Sequence, residues 1–211
     1  MDNQFESWYK PLSKWECITD RTFDALDIIY ENGIVYPSRK NVFRAFRECS
    51  YESCRVVMIF QDPYSKGNIA TGIATAVEGK PIPGSLQVIF KELEIEYGKC
   101  TVDPSLLSWS KQGVLLLNAA LTVSIGEPSS HLKMWSKWTS KFITGLSTDK
   151  SLVWVLFGRE IQKYKPLIKR GEVLCVPHPA AELYSGNAGF LNSGIFKNIN
   201  THLNKIIKWN E

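Results

Sequence analysis

VVMIFQDPYSKGNIATGIATAV, residues 56–77, joins two kinds of sequence at one point. Val56–Phe60 is apolar and partly β-branched, the pattern of a strand buried on both faces. Gln61, Asp62, Pro63 and Tyr64 follow at once: an amide, a carboxylate, a proline and a phenol. A loop with Gly67 and Gly72 comes next. A chain that needed only to reverse direction would not leave its core this way.

Working outward, three further short apolar runs read as strands: Val114–Leu117, Leu152–Phe157 and Val173–Val176. Helical patterns lie before and between them. Thr19-Asp20 can cap a helix whose face holds Phe23, Leu26 and Ile29 or Tyr30, closed by Asn32-Gly33. A short helix fits residues 41–48, with Val42, Phe43 and Phe46 inward. Leu86, Ile89, Phe90 and Leu93 make a helical face that stops at Gly98. Trp135, Trp138, Phe142 and Leu146 make another. Ile161, Tyr164 and Ile168 make a third, and Phe196, Ile199, Leu203 and Ile206 a C-terminal one. Strands alternating with helices predict an α/β fold: a single-domain three-layer sandwich, its central four-stranded parallel sheet flanked by helices.

Parallel strands all end on one side, and ligands of open α/β sheets bind there. Gln61-Asp62-Pro63-Tyr64, Asn118, Gly158 and Pro177-His178-Pro179 follow the four strands, so their side chains are expected in one crevice. Each alone has an ordinary explanation. Asp before Pro is a common turn, a strand-end Asn is usually a cap, and a lone His is usually structural or solvated. Together they form a chemical set. Asp62 offers a general base or a charge that stabilises a cation. His178 offers a donor to a developing anion. Asn118 can read the edge of an amide-like ring, and Tyr64 is a flat wall. The set suits cleavage of a bond that leaves a stabilised anion, with a planar heterocycle held between walls.

Length and composition agree with one domain over residues 1–211 and a sizeable core: 44% of residues are hydrophobic and 22% charged. No apolar run reaches membrane-spanning length, and the polar N-terminus is unlike a secretory signal. The expected location is intracellular: cytoplasmic in a bacterial or viral setting, nuclear in a eukaryote. Cys17, Cys49, Cys54, Cys100 and Cys175 form no CxxC pair, so neither disulfides nor a metal centre is expected. There is no phosphate-gripping loop either. The net charge is +4, and residues 133–170 carry nine Lys or Arg against Asp149 and Glu160. That basic half fits a nucleic-acid partner or a solvated lysine face.

The motifs resemble those of the family 1 uracil-DNA glycosylases. The family's GQDPYH is similar to Phe60-Gln61-Asp62-Pro63-Tyr64-Ser65. Its LLLN and LTV correspond to Leu115–Asn118 and Leu121–Val123, and its HPSPLS loop to the segment from His178 to Ser185. The likeness runs in order from about residue 34 to 203. It implies a cofactor-free hydrolase that excises uracil from single- or double-stranded DNA by base flipping, leaving an abasic site that starts base excision repair. It further implies that Asp62 activates water and stabilises the cationic sugar. His178 would hydrogen-bond the departing uracil oxygen, and Asn118 would read the uracil edge. Tyr64 would exclude a 5-methyl group, and backbone near Gln61 would bind a uracil oxygen. Ser85, which could also cap its helix, and Ser185 would contact DNA phosphates. A monomer is implied, as is a DNA-mimicking inhibitor protein as partner.

Four departures stand out. Ser65 replaces the motif's histidine, and Phe60 replaces its glycine. Thr75 occupies the place of a phenylalanine that stacks on uracil, a contact of roughly 1–3 kcal/mol per base. Ile73, Phe60 or a distant aromatic could cover that face instead. Two residues are added after His178, and the wedge that fills the flipped base's gap is Leu183, with Tyr184 the alternative. These departures keep two rivals in view: a glycosylase-like DNA-binding or replication accessory subunit with weak catalysis, and a glycosylase for a modified uracil.

Overall fold

The computed structural model describes residues 5–79, 81–99 and 101–210. Cys100 lies outside the described residues. In chain order the regular elements are α1 (Glu6–Lys14), α2 (Asp20–Asn32), β1 (Val35–Tyr36), α3 (Arg44–Glu48), β2 (Val56–Phe60), α4 (Gly84–Tyr97), α5 (Leu107–Lys111), β3 (Val114–Asn118), β4 (Val123–Ser124), α6 (Leu132–Asp149), β5 (Leu152–Phe157), α7 (Arg159–Gln162), β6 (Gly171–Val176), α8 (Glu182–Ser185) and α9 (Ile195–Thr201).

The main sheet is parallel throughout, in the order β3-β2-β5-β6, and β1 pairs with β4 antiparallel beside it. The strand alternation divides the core in two. Val57, Ile59, Leu115, Leu117, Trp154 and Leu156 face Trp8, Phe46, Trp138 and Phe142 of α1, α3 and α6. Val56, Met58, Phe60, Leu116, Val155 and Phe157 face Leu86, Leu93, Trp109 and Phe196 of α4, α5 and α9. Both faces are covered, which is why the strands read as continuous apolar runs rather than alternating ones. The chain leaves β2 for β3 on one side and returns to β5 on the other. The strand order therefore reverses between β2 and β5, the place where such sheets open a crevice. Gln61 stands at the end of β2 and Gly158 at the end of β5.

Three helices differ from expectation. The segment 41–48 is helical only from Arg44. Arg47 donates to the Lys40 carbonyl at 2.8 Å, and a 3-10 turn spans Arg39–Asn41; Val42 and Phe43 are buried all the same. The stretch holding Ile161, Tyr164 and Ile168 breaks into α7 and a 3-10 turn at Lys165–Leu167, because Pro166 has no amide hydrogen to continue a helix. The last helix stops at Thr201 and leaves Ile206 exposed. Asn200 instead folds the chain back by bonding both the amide (2.8 Å) and the carbonyl (2.9 Å) of Ile207, and Trp209 fills the core. Helix α1 was not foreseen, since Pro11 lies inside it. Its Trp8 is fully buried, and the indole donates to the Cys49 carbonyl at 2.6 Å. No helix among the described residues is long and apolar enough to cross a membrane.

Candidate active site

The end of β2 is fixed before any side chain acts. Ala119 and Ala120 donate to the carbonyls of Phe60 (2.8 Å) and Gln61 (2.9 Å), extending the β2–β3 ladder beyond the strand. Asp62 is therefore presented from rigid backbone. Its Oδ2 accepts from the Ser129 amide at 2.6 Å, and the Gln61 side chain donates to Ser129 Oγ at 2.7 Å. Burial raises the Asp62 pKa, and the Ser129 amide and Gln61 side chain pull against it. Such a carboxylate is poorly solvated yet hydrogen-bonded in its charged form, which suits a base or a counter-charge to a cation.

Tyr64, Thr75 and Ser85 form a second group. The Tyr64 hydroxyl donates to the Thr75 carbonyl at 3.0 Å and lies 3.0 Å from Ser85 Oγ. Burial pushes the phenol up to about 12, so it stays protonated and its ring is held as a wall. Ser85 does not cap α4. The helix begins at Gly84 behind extended Pro83, and Ser85 is only 8% exposed, its hydroxyl spent on Tyr64. The loop to Thr75 is tied down by the Ala74 amide on the Leu116 carbonyl (3.1 Å) and by Gly72. A Cβ at Gly72 would sit 1.9 Å from the Asn41 carbonyl oxygen, and the φ of +86° also demands glycine. Thr75 itself is unusual: a β-branched residue at φ +61°, its hydroxyl buried with no partner. Ile73 and Phe60, the nearby candidates for the missing ring, are both buried. Ile73 is in the core, and Phe60 lies flat on Phe157, centroids 4.0 Å apart.

Asn118 ends β3 directly opposite Phe60. It is 8% exposed, and its Oδ1 has no hydrogen-bond partner. A buried amide oxygen left open in this way costs stability, and a ligand donor would recover it. His178 completes the crevice. Its ring stands edge-on to Phe60 at 6.2 Å, so Asp62, Asn118 and His178 all converge around the end of β2. Gly158 permits this: at φ +86° it lets His178 Cβ come within 3.1 Å of where its own Cβ would be. The Ala180 amide donates to His178 Nδ1 at 3.2 Å, and burial lowers the imidazole pKa. The ring is therefore neutral, with its proton on Nε2, a donor rather than a cation.

The loop beyond His178 is held by carboxylates the sequence did not single out. Buried Glu182 accepts from the amides of Ala188 (3.0 Å), Phe190 (2.7 Å) and Leu191 (3.1 Å), which lower its pKa. Fully buried Glu92 of α4 accepts from Asn192 (2.6 Å) and Gly194 (2.8 Å). Glu96, one turn later, takes Phe196 (2.9 Å) and Lys197 (2.6 Å) at the start of α9. On this frame Leu183 is 55% exposed but seated on α4: a Cβ at Gly84 would meet its Cδ1 at 2.6 Å. Tyr184 is 89% exposed. Ser185 donates back to the Ala181 carbonyl at 3.1 Å and remains exposed. Among the described residues no group of three His, Cys, Asp or Glu is placed to hold a metal ion.

Ser129 was missed as well, although Glu127-Pro128-Ser129-Ser130 reads as a turn just after the LTV segment. Nothing in that tetrapeptide announces which strand end it will meet.

The family model of the Uracil DNA glycosylase superfamily matches residues 46–204. A uracil-DNA glycosylase of Coxiella burnetii (strain CbuG_Q212) is 41% identical over 179 residues, covering 82% of this chain and 77% of its own. One from Bacillus pumilus (strain SAFR-032) is 35% identical over 212 residues, covering 98% and 89%. The crystal structure of mimivirus uracil-DNA glycosylase superposes with a TM-score of 0.84 at 22% identity, over 97% of this chain and 86% of that one. A variant of the mimivirus protein solved in complex with UGI has the same TM-score.

Proposed function

The chain belongs to the uracil DNA glycosylase superfamily and is a monofunctional glycosylase of the hydrolase class, releasing uracil from DNA to start base excision repair; we propose the following division of labour among its residues. The observation that carries it is the open Oδ1 of buried Asn118. A ring N–H answers that acceptor, while the amide's hydrogens meet the adjacent carbonyl, the pattern of uracil's edge. The base must leave the stack to reach it, at a cost of a few kcal/mol.

As the glycosidic C–N bond lengthens, the bonding pair goes to the base and positive charge grows on the sugar. Asp62 stabilises that charge and orients the water whose oxygen bonds to the sugar carbon. His178 Nε2–H donates to the base oxygen that gains negative charge, and a neutral imidazole does so without surrendering its proton. Water's proton passes to Asp62 and solvent, and an abasic site remains. Tyr64, held at its hydroxyl by Thr75 and Ser85, walls the pocket. Gln61 supplies backbone beside the base.

Tyr184 is the side chain best presented to enter the duplex, with Leu183 as its seat on Gly84. Ser185 and the basic half meet phosphates. The protein acts as an intracellular monomer, and the same protruding tip offers a grip to a DNA-mimicking inhibitor.

Uracil release from an oligonucleotide with one deoxyuridine tests the reading. Asp62→Asn is expected to lose about 10²–10⁴-fold in kcat with DNA binding kept. Wild-type rates in that variant would sink the mechanism. Tyr184→Ala is expected to lose more activity on duplex than on single-stranded substrate; equal loss on both would reassign it.

A further inference from the structure

Asp62 is held from a segment with no other part in the chemistry. Ser129 lies sixty-seven residues along the chain on an exposed turn, with φ +69°, a left-handed conformation uncommon for serine. That conformation aims its amide at Asp62 Oδ2 and its hydroxyl at Gln61.

The turn is bolted in place on several sides. The Gly126 amide donates to the Ser65 carbonyl at 2.7 Å, tying it to the same motif that carries Asp62. The Ser124 amide donates to Ser130 Oγ at 3.0 Å. His131 engages Thr122 Oγ1 through Nδ1 (2.8 Å) and Ser124 Oγ through Nε2 (3.0 Å), and Trp135 donates to that same Thr122 hydroxyl at 2.7 Å. These bonds make the Ser129 amide a preorganised donor, one that does not have to be reoriented when the substrate arrives.

We propose that Ser129 is a positioning residue for glycosidic hydrolysis, its amide fixing the direction and charge of the Asp62 carboxylate and its hydroxyl restraining the Gln61 side chain. The proposal rests on the assignment of Asp62 above. The other charged or titratable groups on the two segments are Tyr64, Lys66, Glu127 and His131. None of them enters the balance at Asp62, which burial sets against the Ser129 amide and the Gln61 side chain. Loss of the amide bond therefore lets burial prevail and moves the protonation of Asp62 to higher pH.

Ser129→Val tests this, because a β-branched residue resists φ +69° and drags the amide out of line. Ser129 is exposed, so folding is not at stake, and a thermal melt checks it. The expected result is a kcat lower by about tenfold or more, with KM for DNA little changed and the acid limb of kcat moved to higher pH. Ser129→Asn is expected to restore both, since asparagine tolerates the left-handed region, keeps the amide and can accept from Gln61. Wild-type kcat and acid limb in Ser129→Val overturn the proposal. So does a fall in kcat with the acid limb unmoved, which assigns the turn a structural role only. Wild type and Asp62→Asn run alongside separate the two failures. If the wild type releases no uracil, the parent reading falls. If Asp62→Asn alone is dead, only the role of Ser129 does.

Discussion

The two walls of the crevice are built from different bonds. The wall carrying Asp62, Tyr64 and Thr75 is fixed by backbone amides on backbone carbonyls and by hydroxyls: Ala119 on Phe60, Ala120 on Gln61, Ala74 on Leu116, Tyr64 on Thr75. Its reactive carboxylate, Asp62, is half-buried. Past His178, the other wall commits the amides of Ala188, Phe190, Leu191, Asn192, Gly194, Phe196 and Lys197 to three structural carboxylates, Glu182, Glu92 and Glu96. Charge-assisted bonds of this kind are about twice as strong as neutral ones, and they depend on ionisation. The first wall therefore owes its shape to the sheet. The second owes it to a few acids and should fail separately.

The largest effect expected on the second wall is chemical. Removing the neutral donor with His178→Ala should cost about 10²–10³-fold in kcat, the scale for a lost oxyanion donor, with the first wall undisturbed. A loss of DNA affinity as large as the loss of kcat would mean that His178 holds the loop rather than the leaving base.

Glu92→Ala asks whether the walls are mechanically separate. It leaves the part-buried amides of Asn192 and Gly194 without their carboxylate partner, at an expected cost of about 1–3 kcal/mol. Hydrogen exchange should show faster exchange across 188–197 and unchanged protection across 71–77. Equal loosening of both would end the distinction between them.

Acid should separate them in the same order. Amide bonds lower the folded-state pKa of Glu182. A depressed carboxylate contributes its stability above the unfolded pKa and loses it as pH falls through the folded value. Burial moves Asp62 the other way, so activity should fail at a higher pH than the part of the loop that Glu182 holds, Ala188–Leu191. An acid titration that follows turnover and Tyr184 mobility together should give two midpoints, turnover first. A single shared midpoint would couple the walls.

The same contrast explains what could be read from sequence. A parallel sheet brings every strand end to one edge, so Asp62, Asn118 and His178 could be placed together from four apolar runs, and the runs themselves matched the observed strands closely. The braces had no such signature. Glu92 and Glu96 sit in Lys-Glu-Leu-Glu-Ile-Glu, which reads as the solvated face of α4, and burial of those carboxylates depends on amides a hundred residues away. Ser85 looked like a cap because it precedes the apolar face; Pro83 had already started the helix. Pro166 was visible, yet the spacing of Ile161, Tyr164 and Ile168 suggested a continuous helix, because a broken one keeps the same residues inward.

Thr75 gives the smallest effect and the finest test of the first wall. Two costs meet there: a β-branched residue at φ +61° and a buried hydroxyl with no partner. Thr75→Val keeps the shape and the backbone cost and removes only the hydroxyl. If that hydroxyl serves nothing, the variant should gain about 1 kcal/mol, raising Tm by roughly 2–4 °C, with activity unchanged. If it meets the base once the pocket is filled, the same gain should come with a lower kcat/KM. Thr75→Phe adds the missing ring at a φ that bulky residues resist, so any tighter uracil binding must first overcome that strain. The pair of variants separates what the ring would add from what the hydroxyl already supplies. A wall fixed by the sheet should let both be measured without the rest of the site moving.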